Sequence, residues 1–272
     1  MRVNPANLRD FPGRSGVPTE IAHRGVCQLT QPNLEDLQFL DIHKSFRISY
    51  PLIRVPPNGA SSARMRCAMP RDVSIVQLQS HMHRRGVGFV ADVVREGGAA
   101  ERVYENDAWE GVPSGRFAPP LELRAGDALD FRCDYVNPEA REVAQGLTTR
   151  DEMCTLIGPY YPRDPRVDVC MDDQGFPAET WIGSGTATCA ETMSCFTAAL
   201  PTIAEGFGPL SACVVESCPG AAEQVSAFVR CALTQGRGAC AAARAAPSAE
   251  CDACMSIACA ADIDPCQAAA CD

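Results

Sequence analysis

Four stretches in the first 180 residues alternate apolar and polar positions, or run apolar over a strand's length: SFRISYPLIRV, DVSIVQLQSHMH, VGFVADVVRE and LELRAGDALDFRCDY. A period of two turns one face of a strand to a core and the other to solvent. Between them stand PPNGAS, PSGRFAPP, RAGD and YVNPEA, clusters of Pro, Gly, Asn and Asp that favour turns. In RAGDALDFRCDY the side chains of Leu129, Phe131, Cys133 and Tyr135 share one face, the expected core face. Many short strands with turns between them predict a mainly β, antiparallel sandwich. Later in the chain the pattern changes. CAETMSCFTAAL and AAEQVSAFVRCALT are Ala-rich and helical in composition, with cysteines on or beside the apolar face. The expected organisation is a β-sandwich over residues 1–175, a linker over 176–188 and a small cysteine-rich α-helical domain over 189–272.

Of the 272 residues, 46% are apolar and 21% charged, a balance that supports a packed core. The formal net charge of −10 argues against nucleic acid as the main partner. The sixteen cysteines change the picture more, because that density belongs to exported proteins, extracellular or periplasmic. Cys27, Cys67, Cys133, Cys154 and Cys170 precede residue 181, and eleven follow it. One of the eleven is therefore free, pairs with Cys27 or bonds another chain. Short helices cannot build a sufficient core alone, so disulfides are expected to staple them. CDAC (Cys251, Cys254), with Cys259, Cys266 and Cys271 after it, admits a zinc or iron–sulfur reading but lacks paired CxxC spacing. The opening MRVNPANLRDFPGRSG has no apolar signal-peptide region, and no apolar run is long enough for a transmembrane helix. Export without a leader implies a fragment, or a start upstream of Met1.

The stretch QSHMHRRGVGF carries two of the chain's four histidines, His81 and His83, one residue apart. On a strand they point the same way, with Met82 on the opposite face. Two converging imidazoles suit a metal site or a pH switch; two exposed polar residues are the plainer reading. Seventy residues on comes TTRDEMCTLIGPYYP. The combination of HMHRRG with DEMC resembles the C-terminal copper domain of the copper type II, ascorbate-dependent monooxygenases, such as peptidylglycine alpha-hydroxylating monooxygenase and dopamine beta-monooxygenase. MRCAMP, DFRCDY, DEMC and VDVC follow the order of four cysteines in that domain, and RSGVPTEIA is similar to its opening strand. The similarity spans roughly residues 10–170.

The resemblance implies a jelly-roll-like sandwich and one copper per chain, held by the imidazoles of His81 and His83 and the thioether of Met153. It also implies disulfides Cys67–Cys170 and Cys133–Cys154, and ascorbate as reductant. Two imidazoles and a thioether suit soft Cu(I) and leave a position open for O2. The family uses a second, electron-supplying copper held by three histidines in a preceding domain. His23 and His43 are too few to rebuild that site and read as surface histidines. An electron-transfer copper domain, upstream or in trans, is therefore an expected partner.

The peptide-amidating members carry an arginine two residues before the first copper histidine, where this chain has Gln79. They carry asparagine and tyrosine two and four residues after the methionine, where it has Thr155 and Ile157. Peptide amidation is not expected, and the substrate, small molecule or peptide-like, is left open. Tyr160 and Tyr161 read as core or rim residues. The expected function is the oxygen-activating half of a monooxygenase that hydroxylates a C–H bond. The alternative is a non-catalytic exported copper-binding protein.

Overall fold

The alternation in RAGDALDFRCDY becomes a central strand, Ala128–Asn137, in which Leu129, Phe131 and Cys133 are fully buried and Tyr135 nearly so. The computed structural model describes residues 44–172, 178–199, 208–237 and 248–271. In chain order the strands are β1 (Lys44–Ser49), β2 (Arg54–Val55), β3 (Gly59–Ala68), β4 (Val73–Met82), β5 (Gly86–Val94), β6 (Ala100–Asn106), β7 (Gly115–Leu123), β8 (Ala128–Asn137), β9 (Val143–Ala144), β10 (Cys154–Tyr161) and β11 (Thr180–Ile182). They form a four-stranded sheet in the order β1-β10-β4-β7, a five-stranded sheet in the order β11-β3-β8-β5-β6, and the small pair β2-β9. Every pairing is antiparallel. The chain crosses repeatedly between the two larger sheets, as a jelly-roll-like sandwich requires.

The inner faces supply Phe46, Ile48, Ile75, Leu78 and Leu156 from one sheet and Met65, Phe89, Phe131 and Tyr135 from the other. Phe89 stacks on Phe131 with ring centroids 5.7 Å apart. Tyr160 is fully buried in this core. On the outer face of the five-stranded sheet, Asp130 is buried because the guanidinium groups of Arg64 and Arg66 both close over its carboxylate. The disulfides Cys67–Cys170 and Cys133–Cys154, the pairs implied by the resemblance, are both present.

After β10 come a short helix α1 (Pro165–Val169) and, within the expected linker, the strand β11, which pairs with β3 at the sheet edge. The helices α2 (Cys189–Ala199), α3 (Gly208–Val215), α4 (Ala222–Arg237), α5 (Ser248–Ala258) and α6 (Ala260–Ala268) make up the cysteine-rich region. Disulfides Cys189–Cys266, Cys195–Cys213, Cys218–Cys271 and Cys231–Cys259 tie these elements together, and Cys254 is disulfide-bonded as well. The zinc or iron–sulfur reading of CDAC and its followers is thereby corrected: Cys254, Cys259, Cys266 and Cys271 have no thiolates to give a metal. Cys27 and Cys240 lie outside the described residues, as does the side chain of Cys251, and with them the pairing of the odd tail cysteine.

The helices sit directly on the sandwich, and Asp41–Asp272 packs as one compact unit. Helix α4 lies along β11: Ser226 Oγ accepts the Trp181 N–H at 2.8 Å, and Arg230 donates to the Glu179 carbonyl at 2.9 Å. Val225 and Phe228 of α4 belong to the same buried cluster as Phe131.

Glu179 is buried in this joint, and one of its carboxylate oxygens has no hydrogen-bond partner among the described residues. Burial pushes its carboxyl up to about 7 from 4.5, against the smaller opposing pull of backbone N–H groups and Arg230. The unfolded chain therefore ionises first, and the fold loses stability as pH rises from about 4.5 through 7. Glu179→Gln is expected to be more stable than the wild type by ~2–3 kcal/mol near pH 8, with the difference gone below about pH 4.5. Denaturant unfolding across that range checks it, and a constant difference at every pH would reject it.

Candidate metal centre

His81 is the penultimate residue of β4 and His83 follows its end. Met82 between them is buried in the core, so the two imidazoles are on the other side of the strand. Their ring centroids are 5.2 Å apart and nearly perpendicular. A tight turn follows: the Gly86 N–H donates to the His83 carbonyl at 2.9 Å. A Cβ on Gly86 would lie 2.7 Å from the Met82 Cβ and 2.8 Å from its sulfur, so glycine is the residue that lets the turn close over Met82.

Met153 reaches the same place from the neighbouring strand. In the β10–β4 ladder Cys154 pairs with Met82 and Thr155 with His81. One step further along that register, Met153 lies across from His83, on the face that carries Thr155 and His81. Met153 and His83 are each only 6% exposed, whereas His81 is partly open to solvent. The three residues singled out in the sequence thus converge at one end of one sheet.

The turn bearing Met153 is fixed at every residue. The Asp151 carbonyl lies 3.0 Å from His83 Nδ1. A carbonyl only accepts, so Nδ1 carries a proton, and the neutral tautomer held this way presents its lone pair on Nε2. The fully buried Glu152 carboxylate accepts the backbone N–H of His83 at 3.0 Å and of Arg85 at 2.9 Å. It also faces the buried Arg85 guanidinium, which reaches on to Glu139 at 2.6 Å. The Tyr135 hydroxyl donates to the Met153 carbonyl at 2.9 Å, and Cys154 is bonded to Cys133 on β8. Both segments are locked to each other and to the core, the arrangement expected around a metal site.

The electrostatics disfavour protonation of His81. Burial, then the neighbouring His83, then the Arg47 guanidinium lower the proton affinity of His81. An unprotonated imidazole is the form that ligates. The donor set of two imidazoles and a thioether suits a soft cuprous ion. Among the described residues there is no cluster of three or more His, Cys, Asp or Glu, so a site of that other type is not offered. His23 and His43 lie outside the described residues.

Sequence reasoning found the three converging residues and missed their supports. Glu152 was visible only as one letter of DEMC, and Arg85 as one of two adjacent arginines. Gln79, at the position of the amidating arginine, donates from its side chain to the Val112 carbonyl at 3.0 Å and so pins the loop between β6 and β7.

Residues 53–179 match the family model described as copper type II ascorbate-dependent monooxygenase, C-terminal domain. Over that segment the chain is similar to this family. The segment contains all of β3 to β10, both histidines and Met153, and the family is one of oxidoreductases. No curated protein matches the chain. Among solved structures, the matches include that of infectious bursal disease virus Gx strain, 8% identical with a TM-score of 0.22, covering 46% of this chain and 33% of that one. The Gt strain of the same virus matches at 10% identity and a TM-score of 0.18, covering 46% of this chain and 41% of that one. The chain spans less than half the length of either viral chain, and likenesses of this size carry no argument.

Proposed function

We propose that His81, His83 and Met153 hold one copper ion, and that the domain is the oxygen-activating half of an ascorbate-dependent monooxygenase that hydroxylates a C–H bond. The observation that carries the reading is the convergence of two imidazoles and a thioether on a preorganised sheet end within a segment that matches this family. Copper bound there would supply one-electron redox chemistry and dioxygen activation. His83 offers Nε2 because Asp151 holds the proton on Nδ1. Met153 offers sulfur because Tyr135 and the Cys133–Cys154 bond fix its backbone. The fully buried Thr155 closes the sheet beneath His81. The reaction needs more electrons than one cuprous ion holds, so a second copper, on another domain in cis or in trans, completes the proposal.

The six disulfides among the described residues suit an oxidising, extracellular-type compartment. No helix among the described residues is long and apolar enough to cross a membrane.

Copper-loaded protein is expected to hold about one equivalent per chain, and His81→Ala to hold none. Met153→Ile is expected to weaken Cu(I) by about tenfold or more while Cu(II) changes little, since the harder ion gains less from a thioether. Metal analysis and competition against a cuprous chelator read both. Unchanged copper in His81→Ala would reject the site.

A further inference from the structure

Antiparallel register places more than the three converging residues on the outer face of the four-stranded sheet. Across β1, β10 and β4, Ser49 pairs with Thr155 and Thr155 with His81; one row over, Arg47 pairs with Ile157 and Ile157 with Gln79. Residues directly paired across an antiparallel ladder share a face. Arg47, Ser49, Ile157 and His81 are therefore accessible on one side of the sheet, with Thr155 buried among them, opposite the core face that holds Phe46, Ile48 and Leu156.

Arg47 is exposed and has no carboxylate partner among the described residues, although the protein is acidic overall. Several arginines elsewhere in the sandwich are committed, Arg64 and Arg66 to Asp130, Arg85 to Glu152 and Glu139, and Arg102 to Asp92, whereas Arg116 on β7, paired with Gln77, has no ion pair among the described residues and adds to the positive charge of this face. No carboxylate stands in either row, nor in the Ser45–Pro159 pair beyond them. Beside Arg47, the Ser49 hydroxyl is hydrogen-bonded to Thr155 at 2.9 Å, and either oxygen can donate. An uncompensated guanidinium with a hydroxyl two residues along the same strand face is a receptor for a planar oxyanion.

We propose that this face is the substrate platform, that Arg47 and Ser49 bind a carboxylate on it, and that the substrate is therefore a small organic acid. The placement of its reacting end rests on the copper reading of His81, His83 and Met153; the anion site itself does not. Two strand spacings and two residues separate Arg47 from His81, about 12 Å between Cα atoms. An extended arginine side chain covers roughly half of that. What remains fits a molecule with its acid group at one end and its reacting carbon a few bonds away, lying over Ile157. Gln79 is not available for the acid, because its amide is held by the Val112 carbonyl.

The full chain, metal-free and Cu(I)-loaded, should be titrated with phenylacetate, phenyl phosphate and phenylacetamide, with binding read by ligand-observed NMR. Phenylacetate is expected to bind both forms, and the amide at least tenfold more weakly. Arg47→Gln is expected to lose at least tenfold in phenylacetate affinity with its copper content unchanged. Arg124→Gln, an exposed arginine in the turn after β7, is the charge control and is expected to bind as the wild type does. Equal affinity for acid and amide, no binding of the acid, or an unchanged Arg47→Gln would overturn the proposal. Preference for the phosphate over the acid would overturn the carboxylate assignment. Failure of the copper reading shows separately, as unchanged copper in His81→Ala, and leaves the result on metal-free protein standing.

Discussion

Glu152→Ala is expected to destabilise the protein by about 3–5 kcal/mol, which is much of what an ordinary domain possesses. Glu152 is fully buried and its carboxylate has three donors: the backbone N–H groups of His83 and Arg85 and the Arg85 guanidinium. Arg85 is itself buried, and its Nε already lacks a partner. Removing the carboxylate leaves a buried cation held only by Glu139 at its rim, and two N–H groups with nothing to meet. Glu152→Gln keeps an oxygen for one N–H but turns an amide toward the other donors, so a smaller loss is expected. The variants separate structure from site: where Glu152→Gln folds, His83 has lost part of its anchor, and Cu(I) affinity should fall although no ligand was touched. Urea unfolding of both variants, with copper competition on the folded one, measures this. A Glu152→Ala protein within 1 kcal/mol of the wild type would show that the clamp contributes little.

The strands that could be read from the sequence are those whose side chains differ most between faces. DVSIVQLQSHMH and LDFRCDY alternate strongly because one face meets the core and the other meets water. Strand β3, GASSARMRCA, was not read: its early core positions are small, and its outer face is arginine balanced by a buried aspartate on another strand. Strand β10, CTLIGPYY, hides behind Gly158 and Pro159. Gly158 is required because Phe46 fills the space a side chain would take. Both causes lie in residues distant along the chain, so no local pattern reports them.

The candidate site divides the same way. His81 and His83 converge through strand periodicity, a local property, and Met153 came from the resemblance carried by DEMC. Glu152, Tyr135 and Arg47 act through register between strands about 20 to 110 residues apart. A shift of one residue in the β1–β10 pairing would put Arg47 in the core and Phe46 on the platform. The sequence contains these residues but not the pairing that makes them neighbours.

Two disulfides of the sandwich allow stability and site geometry to be told apart. Cys67–Cys170 and Cys133–Cys154 close segments of 103 and 21 residues, which in the chain-entropy picture stabilise by roughly 4.7 and 3 kcal/mol. Removing either pair as a double alanine variant should lower the unfolding free energy by about those amounts, the longer loop costing more. Copper should respond in the opposite order. Cys133 lies on β8 in the five-stranded sheet and Cys154 begins β10 in the other, so their bond ties the two sheets together one residue from Met153. Tyr135, two residues along β8, holds the Met153 carbonyl. Without the bond, that hydroxyl and the Glu152 clamp alone place the thioether. Cys133→Ala/Cys154→Ala is therefore expected to lose Cu(I) affinity by about tenfold more than Cu(II) affinity, the signature of a displaced sulfur with both imidazoles still in place. Cys67→Ala/Cys170→Ala, whose bond joins β3 to the end of α1, should unfold more readily yet hold both copper states as the wild type does. Equal copper losses in the two variants would mean that the sandwich responds to either break as a whole, and that the Cys133–Cys154 bond has no separate part in placing Met153.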